Sequence, residues 1–301
     1  MGVLQNKIDF VAFVSVTMAN PNGDPLNGNT PRTDYAGLGE MSDVCIKRKL
    51  RNRMQDLGQS IFVQSPDHNG FDQCKHLKER ATKNLGTITA GASDVAVKKA
   101  CGLWMDVRAF GQVFALGGKK KGKKADKESM DEDNQSSVSI GIRGPVTIHQ
   151  ATSLSPVQVE DMQITKCVNG DEPKSGKPRS SDTMGMKHFV RFGLYKIKGS
   201  INVQLAEKTG FTEEDAETLK ECLRTLFVND ASSARPDGSM EVCKLYWFQH
   251  NCPVGQHSSA NVHRSVHAKL KDSKRFPTCP EDYQFTVEPL EGLEPEVLDG
   301  V

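Results

Sequence analysis

The sequence predicts an α+β protein built on a split βαββαβ unit, the ferredoxin-like arrangement, with long insertions. Three observations predict this fold. Segments rich in β-branched and aromatic residues recur along the 301 residues. Two amphipathic helices separate these segments in the order that the unit requires. Polar stretches interrupt that order, in keeping with a hydrophobic fraction of 37% and a mean hydropathy of −0.50.

The predicted elements follow one another from residue 8. Residues 8–16 are almost continuously apolar, which predicts a central strand covered on both faces. Ser42 is the predicted N-cap of a helix that runs to residue 57, because Ile46, Leu50 and Met54 form one apolar stripe. The other predicted elements are short helices at 74–84 and 94–101, a helix at 212–228, and strands at 107–114, 146–152, 159–168, 188–203, 242–250 and 283–287.

The net charge of +1 conceals charge that is segregated along the chain. Residues 43–53 hold five basic residues against one acid, and 261–275 hold five against one. Residues 117–127 hold six lysines against one acid and are interpreted as a solvated loop. Residues 281–301 hold seven acids and no Lys or Arg. A neutral protein of this kind can present a face that binds polyanions and a separate acidic face.

The loop at 20–39 and the helix after it predict a contact with phosphates. Glycines let a backbone approach an anion closely, and a helix N-terminus favours one. A polymer backbone is a better ligand than a nucleoside triphosphate, because the chain has no GxxxxGK[ST] motif. Lys47, Arg48 and Arg51 lie off the apolar stripe and are predicted to be exposed cations beside the loop. The alternative is a solvated amphipathic helix.

The sequence gives only weak evidence for catalytic or metal-binding residues. Asp24 and Asp34, with Asp43 and Asp106, could hold Mg²⁺ for RNA cleavage, but Asx-turns and helix capping explain such residues more often. The pair His263-x3-His267, with Cys252 nearby, could indicate zinc if it lies on a helix, but no CxxC or HExxH accompanies it. We therefore predict no catalytic residue, no metal and no cofactor.

The scattered cysteines and the start of the chain predict a cytoplasmic protein. Eight cysteines without a CxxC pair suit reduced thiols. Residues 1–8 carry no apolar run behind a basic start, so no secretory signal is expected. The longest apolar stretch, 10–16, is too short to span a bilayer, so no membrane contact is expected.

A series of motifs between residues 10 and 250 resembles one family. The sequence is similar to the CRISPR-associated backbone subunit of type I Cascade complexes, specifically the type I-C branch of the Cas-seven family in the RAMP superfamily. The motifs that carry the resemblance are Asn20-Pro-Asn-Gly-Asp24-Pro25, Gly28-Asn29, Pro31-Arg32-Thr33-Asp34, Ser42-Asp43-Val-Cys45-Ile-Lys47-Arg48-Lys49, Asp106-Val-Arg108-Ala-Phe110-Gly111, Gly141-Ile-Arg143-Gly144-Pro145-Val146, Thr183-Met184-Gly185-Met186-Lys187-His188, Leu205-Ala-Glu-Lys-Thr-Gly210-Phe and Asp230-Ala-Ser-Ser-Ala-Arg235.

The resemblance implies a hand-shaped molecule. An RRM-like palm would comprise residues 1–58, 141–156 and 188–290. Inserted helical fingers would comprise 59–140, and a protruding β-hairpin thumb 157–187. Residues 291–301 would be an acidic C-terminal tail. The tip of the thumb would be the Gly-, Pro-, Lys- and Ser-rich stretch at 169–181.

The resemblance also implies a function in antiviral defence by DNA interference. Copies would line up head to tail as a homo-oligomer on one CRISPR RNA (crRNA), each thumb displacing a guide nucleotide, while the other bases pair with target DNA. Other Cascade subunits, namely the guide-processing, large and small subunits, would be partners, and this subunit would not be an enzyme. The implied RNA-binding residues are Asn20, Asn22, Gly23, Asp24, Asn29, Arg32, Lys47, Arg48, Arg51, Arg143, Gly144, Lys187 and His188, with Met162 and Ile164 on the thumb.

Two other functions stay open at this point. Related backbone subunits of type III complexes cut RNA with a loop aspartate, so a metal-dependent ribonuclease using Asp24 or Asp34 is the alternative. A scaffold that binds only protein is disfavoured by the basic helix and the glycine-rich loop.

Overall fold

The centre of the fold is an antiparallel sheet of eight strands. In the computed structural model, which describes residues 2–65, 68–69, 72–86, 93–116, 138–165, 184–272 and 276–301, the first long strand lies in the middle of this sheet. The sheet path is β14 (Glu296–Asp299), β11 (Met240–Gln249), β1 (Ile8–Ala19), β10 (Met184–Ile201), β8 (Ala151–Pro156) and β4 (Leu38–Met41). Two further strands, β7 (Val146–Ile148) and β9 (Val159–Thr165), also pair with β10.

Strand β1 is covered on both faces, as its apolar run predicts. Its first nine residues are all buried. Phe10 and Val14 belong to the core under helices α1 (Asp43–Asp56) and α6 (Glu213–Arg224). Val11 and Phe13 belong to a second core on the other face, with helix α7 (Ser259–Ser265) and the hairpin of β12 (Val266–Leu270) and β13 (Tyr283–Val287). The alternation of side chains along a strand sends neighbours to opposite cores.

The two principal helices begin where the sequence predicts. Ser42 Oγ accepts a hydrogen bond from the Cys45 N–H, which caps α1. Thr212 and Asp215 form a capping box at the start of α6. The short helix α5 (Val203–Thr209) precedes α6. Both helices bury their predicted apolar stripe against the sheet, so local patterning and tertiary packing agree.

A third core holds the insertion together. It is built by α2 (Leu77–Leu85), α3 (Ser93–Leu103), α4 (Met105–Phe110) and the hairpin of β5 (Gly111–Leu116) with β6 (Val138–Arg143). The predicted strand at 107–114 is wrong at its start, because residues 107–110 are helical and Gly111, with φ of 79°, ends that helix. A short apolar run does not by itself distinguish a buried helix from a strand.

The histidines near residue 263 do not form a helical pair. Helix α7 ends at Ser265, so His267 lies on β12. His263 Nε2 lies 2.9 Å from the Gly199 carbonyl oxygen, and His267 pairs with Glu288 at 3.0 Å. The expected i, i+4 geometry is therefore wrong, and the zinc interpretation loses its basis.

The acidic C-terminal residues do not form a separate tail. Residues 296–299 form β14, which is hydrogen-bonded to β11 at one edge of the sheet. Glu296 pairs with Lys220 at 2.8 Å, and Asp299 pairs with Lys244. Part of the charge that was predicted to form a separate acidic face is therefore neutralised by lysines of α6 and β11.

Two sequence predictions lie outside the described residues, namely the lysine-rich run at 117–127 and the hairpin tip at 169–181. Across the described ranges, no helix combines the length and apolarity needed to cross a bilayer.

Candidate nucleic-acid interface

A groove forms where two consecutive segments of the chain meet a third segment that is distant in the sequence. The segments are the loop at 20–34, the exposed side of α1, and the loop at 229–235. Polar and cationic side chains dominate the lining, among them Asn22, Asn29, Arg48, Asn52, Asn229, Ser232 and Arg235. Amides and guanidinium groups are the donors that proteins direct at phosphate and sugar oxygens.

The charges along this groove favour an anion. Its described lining residues include three cations, Arg48, Lys49 and Arg235, and one carboxylate, Asp230. Burial lowers the pKa of Lys49, and the adjacent Asp230 opposes that shift. Burial raises the pKa of the Cys45 thiol, so this lining residue adds no negative charge at neutral pH. The groove therefore carries an excess of positive charge.

Side-chain and backbone hydrogen bonds fix the loop at 20–34 in place. Strands β2 (Gly23–Asp24) and β3 (Thr30–Pro31) form a short hairpin within it. Asn22 Oδ1 accepts from both the N–H and the hydroxyl of Ser42 at 2.9 Å, which ties the loop to the cap of α1. Asn20, itself buried, donates to the Asn29 carbonyl at 2.6 Å. A Cβ at residue 23 would overlap the Asn29 side chain, so this position requires glycine.

The loop aspartates form turns. Asp24 Oδ1 accepts from the Leu26 N–H and from Arg32, both at 3.2 Å. Asp34 Oδ1 accepts from the N–H groups of residues 36 and 38, at 2.8 and 2.9 Å. These bonds confirm the Asx-turn interpretation of both residues. Within the described part of the chain, no three His, Cys, Asp or Glu side chains are grouped to hold a metal ion.

The predicted exposed pair Lys47 and Arg51 is wrong in its geometry. Arg51 Nε donates to Asp106 Oδ2 at 2.9 Å, and the side chains are only 14% and 1% exposed. Lys47 is paired with Asp43 at 3.0 Å. The apolar stripe of α1 packs against the sheet as predicted, but the insertion also covers a second side of the helix. Arg51 is consequently a packing residue, whereas Arg48 on the same helix is exposed and lines the groove.

The motif at 106–108 joins the insertion to the rest of the fold. Asp106 also accepts from the N–H groups of Phe62 and Val63, at 2.7 and 3.1 Å. Arg108 makes two bonds to Asp215 of α6, at 2.8 and 2.7 Å. Hydrogen bonding to Asp215 raises the pKa of Arg108. This motif thus holds the insertion against α1 and α6.

Two predicted site residues lie on or next to β6. Arg143 is exposed and pairs in register with Gly111, but it is not among the residues that line the groove. A Cβ at Gly144 would overlap the Ala109 carbonyl and crowd the backbone of residues 110 and 111. Gly144 therefore serves the close approach of two backbone segments.

A two-stranded ribbon extends from the sheet beside the loop. It comprises β9 and residues 184–190 of β10, in continuous antiparallel register. Met162 lies opposite Lys187, and Ile164 lies opposite Gly185, so these four residues share one face. Met184 and Met186 lie on the other face. All the methionines of the ribbon and Ile164 are exposed, which leaves apolar surface on both faces.

His188 connects the base of the ribbon to the loop. Its Nδ1 lies 2.5 Å from Asp161 Oδ1, directly across the strand pair. A Cβ at Gly28 would lie 3.9 Å from His188 Nε2, so the loop tip approaches this ring. The loop at 20–34 therefore borders the groove on one side and the ribbon on the other.

The sequence profile of one family, described as CRISPR-associated protein Cas7, matches residues 6–288. The chain belongs to the Cas7 family. The match begins just before β1 and ends just after β13, so the family covers the loop, the groove and the ribbon.

A curated relative supports this assignment. A CRISPR-associated protein Cas7 of Haloferax volcanii is 25% identical over 233 residues, which are 73% of this chain and 64% of that protein. The match thus spans less than two thirds of the relative's length.

Two solved structures are also similar. A chain of a CRISPR RNA-guided surveillance complex in a pre-nicking state is 15% identical with a TM-score of 0.44, over 85% of this chain and 81% of that one. A chain of a second CRISPR RNA-guided surveillance complex is 15% identical with a TM-score of 0.43, over 88% and 77%.

The structure brings together some predicted residues and adds others. Asn22, Gly23, Asn29 and Arg48 line one groove, as a shared site requires. The loop at 229–235 is not among the predicted site residues, although its motif carries part of the resemblance to the Cas7 family. Its local charge is balanced, and nothing in its spacing indicates a position beside residues 20–34.

Proposed function

We propose that this Cas7 protein is the non-catalytic backbone subunit of a type I-C Cascade complex, and that it binds the backbone of CRISPR RNA in the groove between the loop at 20–34, α1 and the loop at 229–235. The observation that carries the proposal is the excess of cations and amides in that groove. RNA-binding proteins that act without regard to sequence use such a groove to follow the phosphates.

The strand order supports an RRM-like palm. Strands β1 and β8 are joined through α1 and the insertion, and β10 lies between them in the sheet. Strand β11 follows α6 and lies on the other side of β1. This order is the one expected of a split βαββαβ unit, in which the insertion at 59–140 would be the fingers and the ribbon the base of a thumb.

The ribbon supports a role in an assembly. Exposed apolar side chains on both of its faces need a cover, and Met162, Ile164, Met184 and Met186 would obtain it from guide bases or a neighbouring copy. On this basis, copies of the protein bind head to tail along one RNA, and the guide stays available to pair with target DNA. The guide-processing, large and small Cascade subunits would complete the complex in the cytoplasm.

The proposed RNA contacts follow the geometry. Asn22, Gly23, Asn29 and Arg48 line the groove, with Asn20, Asp24 and Arg32 supporting the loop. Lys187 and His188 lie at the base of the ribbon. Arg51 is not included, because Asp106 holds it.

The test measures binding to a labelled single-stranded RNA at several salt concentrations. Arg48→Gln should weaken binding to all sequences about equally, and reduce the slope of log affinity against log salt by about 0.7. Arg264→Gln is the matched control, because this exposed arginine lies on α7, on the opposite side of the sheet from α1.

Two results would contradict the proposal. One is a slope that Arg48→Gln and Arg264→Gln change equally. The other is cleavage of the RNA in Mg²⁺ or Mn²⁺ that disappears in Asp24→Asn or Asp34→Asn, which would make the protein a ribonuclease.

A further inference from the structure

We infer that Arg235 is a phosphate contact in the groove and that Asp230 is the positioning residue that holds it there. The inference rests on the proposed function, because it assigns roles within the same RNA site. Neither residue is among those that the resemblance to the Cas7 family implies.

The geometry starts from one carboxylate oxygen. Asp230 Oδ2 accepts from Arg235 Nε at 3.3 Å and from Lys49 Nζ. Lys49 belongs to α1 and is only 5% exposed, so its ammonium group is enclosed. Arg235 is 28% exposed and lines the groove. One carboxylate therefore joins a buried cation on the helix to a solvent-accessible cation on the loop.

The backbone places Arg235 as firmly as the side chain does. Residues 232 and 235 exchange two backbone hydrogen bonds, of 2.8 and 3.0 Å, which close a tight turn. The Asn20 N–H donates to the Ala234 carbonyl at 2.9 Å, which ties this turn to the end of β1. The Arg235 side chain thus begins from a fixed point and is directed by its bond to Asp230.

The charge balance explains why a carboxylate belongs in a site for an anion. Lys49 and Asp230 form a buried pair whose charges cancel, and Arg235 adds a positive charge at the surface of that pair. Without Asp230, the buried Lys49 would lose its counter-ion, and Arg235 would be free to adopt other rotamers. A positioned cation binds more tightly than a mobile one, because less rotamer entropy is lost on binding.

Phosphate is the ligand that this geometry fits best. Arg235 uses Nε for Asp230, and the two terminal nitrogens of a guanidinium carry four further N–H donors that can bind a phosphate in a forked arrangement. Arg48 supplies a second cation in the same groove, and Asn52 and Asn229 are amides nearby. A site for a free inorganic anion would need cations only, whereas the amides can also bind the sugar oxygens of a nucleic-acid backbone.

The test compares variants for binding to a fluorescein-labelled 20-nucleotide poly(U) RNA. Arg235→Gln should lower the affinity about tenfold and reduce the salt slope by about 0.7. The decisive variant is the double substitution Lys49→Met/Asp230→Asn. It leaves the net charge unchanged and removes the buried pair, so a purely electrostatic view expects no loss of affinity. A positioning role for Asp230 predicts a loss of about fivefold or more, with little further loss when Arg235→Gln is added.

Folding is controlled separately. Asp230→Asn alone strands the Lys49 charge and is expected to unfold the protein in part, so the double variant is used, and its thermal unfolding is measured alongside binding. Arg235→Lys is a second check, because it keeps the charge but lacks the forked donors, and it should restore only part of the affinity.

The outcomes separate this inference from the proposed function. If Arg48→Gln weakens RNA binding while Arg235→Gln and the charge-matched double variant bind as the wild type does, the roles of Arg235 and Asp230 are refuted and the groove remains an RNA site. If the double variant binds RNA as tightly as the wild type or more tightly, the positioning role of Asp230 is refuted. A wild-type protein that does not bind RNA would refute both.

Discussion

Removing the Arg51 side chain should weaken the contact between α1 and the insertion. Arg51→Ala takes away the guanidinium that neutralises Asp106, a carboxylate that is 1% exposed. It also removes the contact of that guanidinium with the Phe110 ring, whose centroid lies 5.2 Å away. The matched change is Lys47→Ala, one turn earlier on the same helix, where the partner Asp43 is substantially exposed.

The expected magnitudes differ by several-fold. Breaking a buried ion pair by deleting one partner costs about 3–5 kcal/mol. Asp106 keeps its bonds from the N–H groups of Phe62 and Val63, so we take the lower end, about 3 kcal/mol. A partly exposed i, i+4 pair such as Lys47 with Asp43 contributes about 0.3–0.5 kcal/mol. With a shift of about 2–4 °C per kcal/mol, Arg51→Ala should lower Tm by about 6–12 °C and Lys47→Ala by at most about 2 °C.

Thermal unfolding followed by circular dichroism measures both variants. RNA binding should be compared at a temperature where each variant is folded, so that a loss of affinity is not a loss of structure. Equal Tm values for the two variants would refute the reasoning, since they would mean that the Arg51–Asp106 pair contributes no more than a surface pair. A loss of RNA affinity in Arg51→Ala without a change in Tm would instead return Arg51 to the RNA surface.

Two further predictions concern pH and packing. Burial, with a contribution from Lys198, lowers the pKa of Lys196 to about 8, so the unfolded state, with a lysine pKa of about 10.4, binds more protons between pH 8 and 10.4. A difference of about 2.4 pKa units corresponds to about 3.3 kcal/mol, which solvent screening of this partly exposed lysine reduces. The free energy of unfolding of the wild type relative to Lys196→Met should therefore rise by about 2 kcal/mol across that window in urea titrations, and parallel pH profiles would contradict this. Gly144→Ala should lower Tm by several degrees, because the added Cβ overlaps backbone atoms and overpacking costs about 1–3 kcal/mol. Gly141→Ala is the control and should change Tm little, because nothing lies within 4 Å of its added Cβ. Similar Tm values for the two variants would show that the backbone at 109–111 moves aside at little cost.

The sequence alone determines the elements that depend on local patterns. The apolar run at 8–16 specifies a central strand because no other position in the sheet would cover both faces of such a segment. Ser42 and Thr212 specify helix starts because a cap needs only an N–H three residues away. The Asn-Gly-Asp loop likewise specifies its own Asx-turns, so Asp24 and Asp34 were open to a correct interpretation before any fold was known.

Only the tertiary structure decides which charges meet. Arg51 and Lys47 look alike in the sequence, yet Arg51 meets Asp106, 55 residues away, and Lys47 meets a neighbour on its own helix. Asp230 meets Lys49 across 181 residues of chain, and the same carboxylate also holds Arg235. Periodicity shows which face of a helix is apolar, but the number of elements that pack around that helix depends on how distant segments close over it. The groove forms where these distant segments pack together. The sequence therefore shows which cations exist, but only the fold shows which partner each of them has.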